Sequence, residues 1–201
     1  MPLEEIPLPA GIRSRFVDDV NGLRMHLLEA GFQGKARTCV LLLHGFPELA
    51  YSWRKVMPTL ADAGYHVIAP DQRGYGRTTG WDADFDNDLH PFRLTNLVRD
   101  ALGVVSAFGH RSVAAVVGHD FGSPVAAWCA LIRPDVFRSV VMMSAPFAGP
   151  PPLAFDTIEA PRAKRQDPVH RELAELPRTP TGKLVKRHLR DRYWPKAAAK
   201  A

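Results

Sequence analysis

Asp120 is the central residue of a pattern with glycines two positions before and two positions after it. The five residues are Gly118, His119, Asp120, Phe121 and Gly122. This spacing is typical of a nucleophile elbow, a sharp turn between a strand and a helix that lifts its central side chain above the sheet. A side chain at either flanking position would clash in such a turn, and glycine removes the clash.

The central residue of this elbow is an aspartate, which limits the chemistry. A carboxylate is ionised at neutral pH and needs no base to become nucleophilic. Attack on an ester would give a mixed anhydride, whereas displacement at a saturated carbon gives an alkyl–enzyme ester. The alternative is that Asp120 only caps the following helix. Ser123 could serve as that cap, and a cap gives the flanking glycines no purpose.

A second motif lies about 75 residues earlier, at the end of a predicted buried strand over 38–43. It consists of His44, Gly45, Phe46 and Pro47. An oxyanion hole in this type of site takes one N–H from this loop and one from the residue after the nucleophile. The predicted donors are therefore the backbone N–H groups of Phe46 and Phe121.

The elements that must position these residues alternate between strands and helices. A hairpin over 12–29 turns at an Asn-Gly pair, and apolar runs at 38–43, 66–69 and 113–117 read as buried strands. A further strand is expected within 136–143. Helices are predicted over 51–63, 94–108 and 123–132. This order indicates an α/β fold with a mostly parallel sheet that is covered by helices on both faces.

Charge is concentrated at the end of the chain. The 201 residues carry a formal charge of +5, and residues 162–201 contain 12 of the 26 Lys and Arg but only 4 of the 21 Asp and Glu. We expect a solvated basic tail rather than a nucleic-acid partner, because no nucleic-acid motif accompanies the charge. No apolar run reaches the ~18 residues that span a bilayer. Cys39 and Cys129 are expected to be reduced core thiols, which favours a cytoplasmic location.

The motifs together resemble the α/β-hydrolase-fold epoxide hydrolases. The resemblance rests on HGFP at 44–47, YSWR at 51–54, APDQRGYGRT at 69–78 and GHDFG at 118–122, and it extends over about 13–178. It implies that Asp120 opens an epoxide as the nucleophile and that Phe46 and Phe121 are the oxyanion donors. It also implies that Phe46, Trp53 and Phe121 lie near the substrate. The resemblance implies no cofactor, and we expect no metal.

Related families with the same elbow fit less well. Haloalkane dehalogenases usually hold halide with Asn and Trp N–H donors where this chain has Phe46 and Phe121, and phenylalanine has no such donor. Fluoroacetate dehalogenases usually carry Arg at the position of Phe121. A dehalogenase nevertheless stays as an alternative, as does an inactive fragment that binds through its basic tail.

Two later members of the family's site have no counterpart in the pattern. The family order is nucleophile, acid, histidine, but no strand pattern follows Met143, and His170 and His188 stand among charged residues. We therefore expect the first part of a hydrolase core over 1–150, the start of a cap over 151–180 and a basic tail over 181–201. Such a chain would lack the last strands and most of the cap. Its activity would be impaired, and its sheet edge would favour homo-oligomers.

Overall fold

The sheet begins with a hairpin that an Asn-Gly turn closes. The computed structural model describes residues 6–33, 37–84, 86 and 88–145. Within them, β1 (Ile12–Val20) pairs antiparallel with β2 (Leu23–Ala30). The turn residues Asn21 and Gly22 have φ of 51° and 79°. This is the left-handed backbone of a type I′ turn, which Asn-Gly adopts readily.

Four further strands complete a sheet of six strands among the described residues. They are β3 (Cys39–Leu43), β4 (His66–Pro70), β5 (Val113–His119) and β6 (Val140–Met143). The order is β1-β2-β4-β3-β5-β6, with β4, β3, β5 and β6 mutually parallel. All five residues of β3 are buried, as its continuous apolar run predicts.

The helices match the expected order, but the first is shorter than predicted. A single helix over 51–63 is wrong: a 3₁₀ turn covers Ala50–Lys55, and α1 covers Met57–Asp62. Pro58 explains the break, because it has no N–H to continue the hydrogen bonding of the preceding turn. The next helices are α2 (Leu94–Ala107) and α3 (Gly122–Ile132).

These helices cover both faces of the sheet and form two apolar clusters with it. The first cluster joins α2 and α3 to one face and includes Leu41, Ile68, Val104, Val125 and Phe137. The second joins the 3₁₀ turn and α1 to the other face and includes Leu28, Leu42, Trp53, Met57 and Val67. The predicted architecture of a mostly parallel sheet between two helical layers is confirmed.

Strand β6 lies at an edge of this sheet, and its residues Val140, Val141 and Met143 are exposed. Association of copies through this edge stays a prediction. The expected cap start at 151–180 and the tail at 181–201 lie outside the described residues, and the division at residue 150 also stays a prediction.

Both cysteines are free thiols buried in the core, as expected. Burial raises the pKa of Cys39 and of Cys129 to about 12. The cytoplasmic location stays a prediction. Within the described residues, no helix has the length and apolar character needed to cross a membrane.

Glu29 is a buried carboxylate in β2 that several cationic groups surround. It lies 2.8 Å from Arg13 Nε, 3.3 Å from Arg15 Nη1 and 2.8 Å from His66 Nε2. Burial by itself would raise the pKa of Glu29, but the hydrogen bonds from His66 and Arg13 outweigh it and lower the pKa to about 2.

This cluster predicts a loss of stability in acid. The pKa of Glu29 is lower in the folded chain than its ordinary value of 4.5. The stabilisation is therefore complete above about pH 4.5 and is lost as the pH falls toward 2, with a total of about 3 kcal/mol. Urea unfolding measured across this range should show the loss, and Glu29→Gln should remove it. If the native chain and Glu29→Gln lose the same stability as the pH falls, the loss does not come from Glu29.

Candidate active site

Asp120 occupies a two-residue turn between β5, which ends at His119, and α3, which begins at Gly122. Its φ is 49°, in the left-handed region that residues other than glycine seldom adopt. Such a backbone persists only when its surroundings hold it, and it occurs often at functional sites. The elbow predicted from the glycine spacing is therefore present as a local backbone geometry.

Close backbone contacts explain the glycines of both motifs. A Cβ on Gly118 would lie 2.2 Å from Gly122 O, and a Cβ on Gly122 would lie 2.3 Å from Leu43 O. A Cβ on Gly45 would lie 2.5 Å from Asp120 Cβ. Strand β3, the loop after it and the elbow can approach this closely only without these side chains.

Ser123 does not cap α3, contrary to the prediction. The helix begins one residue earlier, at Gly122, and no side chain caps it. The buried Ser123 hydroxyl lies 2.8 Å from Gly118 O and 2.8 Å from Met143 O, and it accepts the Met143 N–H at 3.1 Å. It therefore links the elbow to the end of β6 instead of the first turn of the helix.

Two backbone amides converge on one oxygen of the Asp120 carboxylate. The N–H of Phe46 donates to Oδ1 at 3.0 Å, and the N–H of Phe121 donates to the same atom at 2.7 Å. These two bonds, first that from Phe46 and then that from Phe121, lower the pKa of Asp120 below its ordinary value. The carboxylate is therefore ionised at neutral pH, and its Oδ2 accepts no hydrogen bond within the described part of the chain.

His44 fixes the loop that carries the Phe46 amide. Its Nε2 accepts the Gln72 N–H at 3.0 Å, and its Nδ1 lies 2.8 Å from Gly45 O. Burial lowers the pKa of His44, so the ring is neutral with its proton on Nδ1. The Gln72 side chain donates to His44 O at 2.7 Å. The Phe46–Pro47 peptide bond that follows is cis.

A second contact joins the two motifs. His119 Nδ1 lies 3.0 Å from Glu48 Oε2, and both side chains are partly exposed. The pair connects the elbow to the residue after the HGFP tetrapeptide. A contact at this exposure contributes little stability.

Asp71 orders the loop after β4. It is buried, it accepts the Ala50 N–H at 2.9 Å and the Arg77 N–H at 3.1 Å, and its Oδ2 lies 2.8 Å from His26 Nδ1. Its own carbonyl oxygen accepts the Thr78 hydroxyl at 2.6 Å. These contacts indicate a structural role for Asp71 rather than a catalytic one.

A cavity of about 310 Å³ opens beside the two amide donors. Aromatic rings form much of its wall, namely those of Phe46, Tyr75, Trp81, Phe92 and Phe121. Burial, and then the charge of Asp120, raise the pKa of Tyr75, so the phenol stays protonated at neutral pH. An aromatic wall of this volume suits an apolar small molecule.

Contact of Phe46, Trp53 and Phe121 with the substrate stays a prediction. Phe46 and Phe121 line the cavity, but Trp53 packs in the second apolar cluster and is only 7% exposed. Its Nε1 is buried and has no hydrogen-bond partner in the part of the chain that the structure describes. Trp53 therefore belongs to the core in this structure.

The sequence did not predict that Tyr75, Trp81 and Phe92 line the cavity. They come from segments read as loops, where an aromatic residue has no periodicity to show which way it faces. The one sequence feature that could have indicated these lining residues is the presence of aromatic side chains in a segment rich in glycine and aspartate. His170 and His188, which stand among charged residues in the sequence, lie outside the described residues.

Comparisons with known proteins show the fold family of the chain. The family model described as "alpha/beta hydrolase fold" matches residues 38–191. Epoxide hydrolase B of Mycobacterium tuberculosis is 44% identical over 128 residues, which cover 64% of this chain and 34% of that protein. Epoxide hydrolase A of the same organism is 46% identical, with 64% and 37% covered. The chain thus spans about a third of the length of these curated relatives.

Solved structures give the same result. An epoxide hydrolase from an endophytic Streptomyces superposes with a TM-score of 0.61 at 46% identity, covering 70% of this chain and 39% of that one. Potato epoxide hydrolase I superposes with a TM-score of 0.62 at 41% identity, covering 71% and 42%. At these identities the similarity extends to the sequence as well as to the fold.

Proposed function

We propose that this chain opens epoxides through an ester on Asp120. The premise is that the chain belongs to the α/β-hydrolase fold family and is similar in sequence to epoxide hydrolases. The observation that carries the proposal is the pair of hydrogen bonds from Phe46 and Phe121 to one carboxylate oxygen. They give the two oxygens of Asp120 different roles: Oδ2 attacks the epoxide, and Oδ1 carries the negative charge during hydrolysis of the ester.

The first step is the opening of the ring. Oδ2 of Asp120 attacks an epoxide carbon, the C–O bond of the ring breaks, and the released oxygen takes a proton to become a hydroxyl. The product is a hydroxyalkyl ester of Asp120. The two amides hold Oδ1 throughout and fix the direction of the Oδ2 lone pairs, which lowers the entropy cost of the attack.

The second step is hydrolysis of that ester. Water adds to the Asp120 carbonyl carbon, and negative charge develops on Oδ1, which both amides already contact. Amides that are preorganised in this way act as an oxyanion hole, and removing one typically costs ~3–4 kcal/mol. Collapse of the intermediate releases a diol and restores the carboxylate.

The cavity favours an epoxide over a haloalkane. A departing halide needs N–H donors, and the Phe46 and Phe121 side chains have none. Trp81 is the indole among the described lining residues, and its Nε1 already donates to Thr78 O at 2.9 Å. A departing alkoxide needs only a proton, which an O–H group or water can supply.

Ester hydrolysis also needs a base that activates water. Among the described histidines near the elbow, His44 is buried with both ring nitrogens engaged, and His119 faces Glu48. Neither ring forms a hydrogen bond with Asp120 within the described residues. We therefore expect the ester to form faster than it is hydrolysed and to accumulate.

Mass spectrometry of the full chain after incubation with styrene oxide tests both statements. The expected result is one added epoxide mass on the peptide that contains Asp120, with little diol released. Styrene glycol, which lacks the strained ring, should give no adduct. Adducts only on other residues would overturn the nucleophile assignment. Sustained diol release would contradict accumulation and would direct attention to His170 and His188.

A further inference from the structure

A second cavity, of about 540 Å³, lies at the opposite end of the sheet from Asp120. Its lining residues follow β2, precede β3, β5 and β6, and include the first residue of β4, so most of the wall lies where the parallel strands begin. Asp120 follows the end of β5, so the two cavities are separated by the length of the sheet. The ionisable residues that line this second cavity are Arg37, His66, His110, Arg111 and Arg138.

The wall of this cavity is positively charged. None of the described residues that line it is acidic. Glu29, the carboxylate that His66 contacts, is 2% exposed and already receives Arg13, Arg15 and His66. Glu29 therefore does not neutralise the guanidinium groups at the cavity mouth.

Two of these guanidinium groups have no partner among the residues that the structure describes. Arg111 and Arg138 are exposed, and within the described part of the chain their side chains form no hydrogen bond or ion pair. Arg37 donates one Nη1 bond to Ala61 O at 3.0 Å and keeps its other N–H groups. Guanidinium groups that line one cavity and have no carboxylate partner can donate hydrogen bonds to an oxyanion.

The backbone and side chain of His110 are held at this wall. The end of α2 closes with bonds from Gly109 N to Ser106 O and from His110 N to Val105 O, so these carbonyls do not repel an anion as free acceptors would. His110 Nε2 lies 2.7 Å from His66 Nδ1, and His66 Nε2 lies 2.8 Å from Glu29 Oε1. These two contacts orient the His110 ring at the wall.

We propose that this cavity binds a phosphate group, with Arg111 and Arg138 as its principal ligands and Arg37 and His110 beside them. The occupant is inorganic phosphate or a phosphate monoester. A cavity of about 540 Å³ exceeds the volume of one phosphate, and the rings of Phe32 and Phe108 on its wall would contact the organic part of an ester.

Calorimetric titration of the full chain at low salt tests the proposal with two probes, inorganic phosphate and phenyl phosphate. Both should bind, and Arg111→Ala with Arg138→Ala should weaken each by at least tenfold. Tighter binding of phenyl phosphate identifies an ester as the occupant, and equal binding identifies the free ion. Ester formation at Asp120 should be unchanged in this double variant, so failure of the anion site is distinguishable from failure of the proposed catalysis.

The matched control is Arg99→Ala with Arg133→Ala, which removes the same charge from exposed positions away from the cavity. It should leave both affinities within about twofold. If both double variants weaken phosphate binding equally, the effect comes from net charge, and the proposed site is overturned. Binding that survives Arg111→Ala with Arg138→Ala, as on the basic residues 162–201, would overturn it too. If the double variant fails to fold, Arg138→Ala alone should still weaken binding more than Arg133→Ala alone.

Discussion

Asp120→Asn is expected to lower the rate of ester formation by at least about 10⁴-fold, since loss of a nucleophile is among the largest single effects in enzymes. The amide oxygen can still accept the N–H groups of Phe46 and Phe121, so the turn keeps its shape. The amide nitrogen that replaces Oδ2 has no charge and no available lone pair, and it cannot open an epoxide.

The measurement is the rate of mass increase with styrene oxide, for the native chain and the variant at the same protein concentration. Asp135→Asn is the matched control, because Asp135 is an exposed carboxylate that pairs with Arg133 away from the cavity. It should react like the native chain. A native-like rate in Asp120→Asn, together with a normal far-UV spectrum, would place the reactive group elsewhere.

The parts of this site that the sequence could predict are those that local geometry dictates. Gly118, Gly122 and Gly45 sit where a Cβ would strike backbone or Asp120 within 2.5 Å. Such close contacts require glycine at these positions, so the sequence shows glycines at a defined spacing. The Asn21-Gly22 turn and the buried strand β3 also depend on local sequence, and the structure confirms both predictions.

The parts that could not be predicted depend on partners distant in the chain. Ser123 looked like a helix cap, but its hydroxyl bonds to Met143, 20 residues later. The Trp53 side chain, on the 3₁₀ turn itself, packs in the second apolar cluster and does not line the cavity. Conversely, Phe92 reaches the cavity from a segment without periodicity. Each outcome is set by tertiary packing, which no local pattern encodes.

Gly118→Ala is expected to lower the free energy of unfolding by about 3 kcal/mol or more, because overpacking against rigid neighbours is among the costliest substitutions. The added Cβ would lie 2.2 Å from Gly122 O, 2.4 Å from Gly122 C and 2.6 Å from Ser123 Cα. All three are backbone atoms of the first turn of α3, so no side chain can rotate away. The helix must move from β5, and the Phe121 amide must move with it.

Urea unfolding measures the first effect, and the rate of ester formation measures the second. Gly103→Ala is the control: in α2 its Cβ would meet Val20 Cγ1 at 3.0 Å, a side-chain contact that can adjust, while alanine gains ~1 kcal/mol of helix propensity. We expect its stability to stay within about 1 kcal/mol of the native chain. Should Gly118→Ala match Gly103→Ala in both stability and reactivity, the close approach of β5 and α3 would not be what holds Asp120 in its left-handed turn. The two amides would then have to be positioned by the contacts of His44 and Ser123 alone.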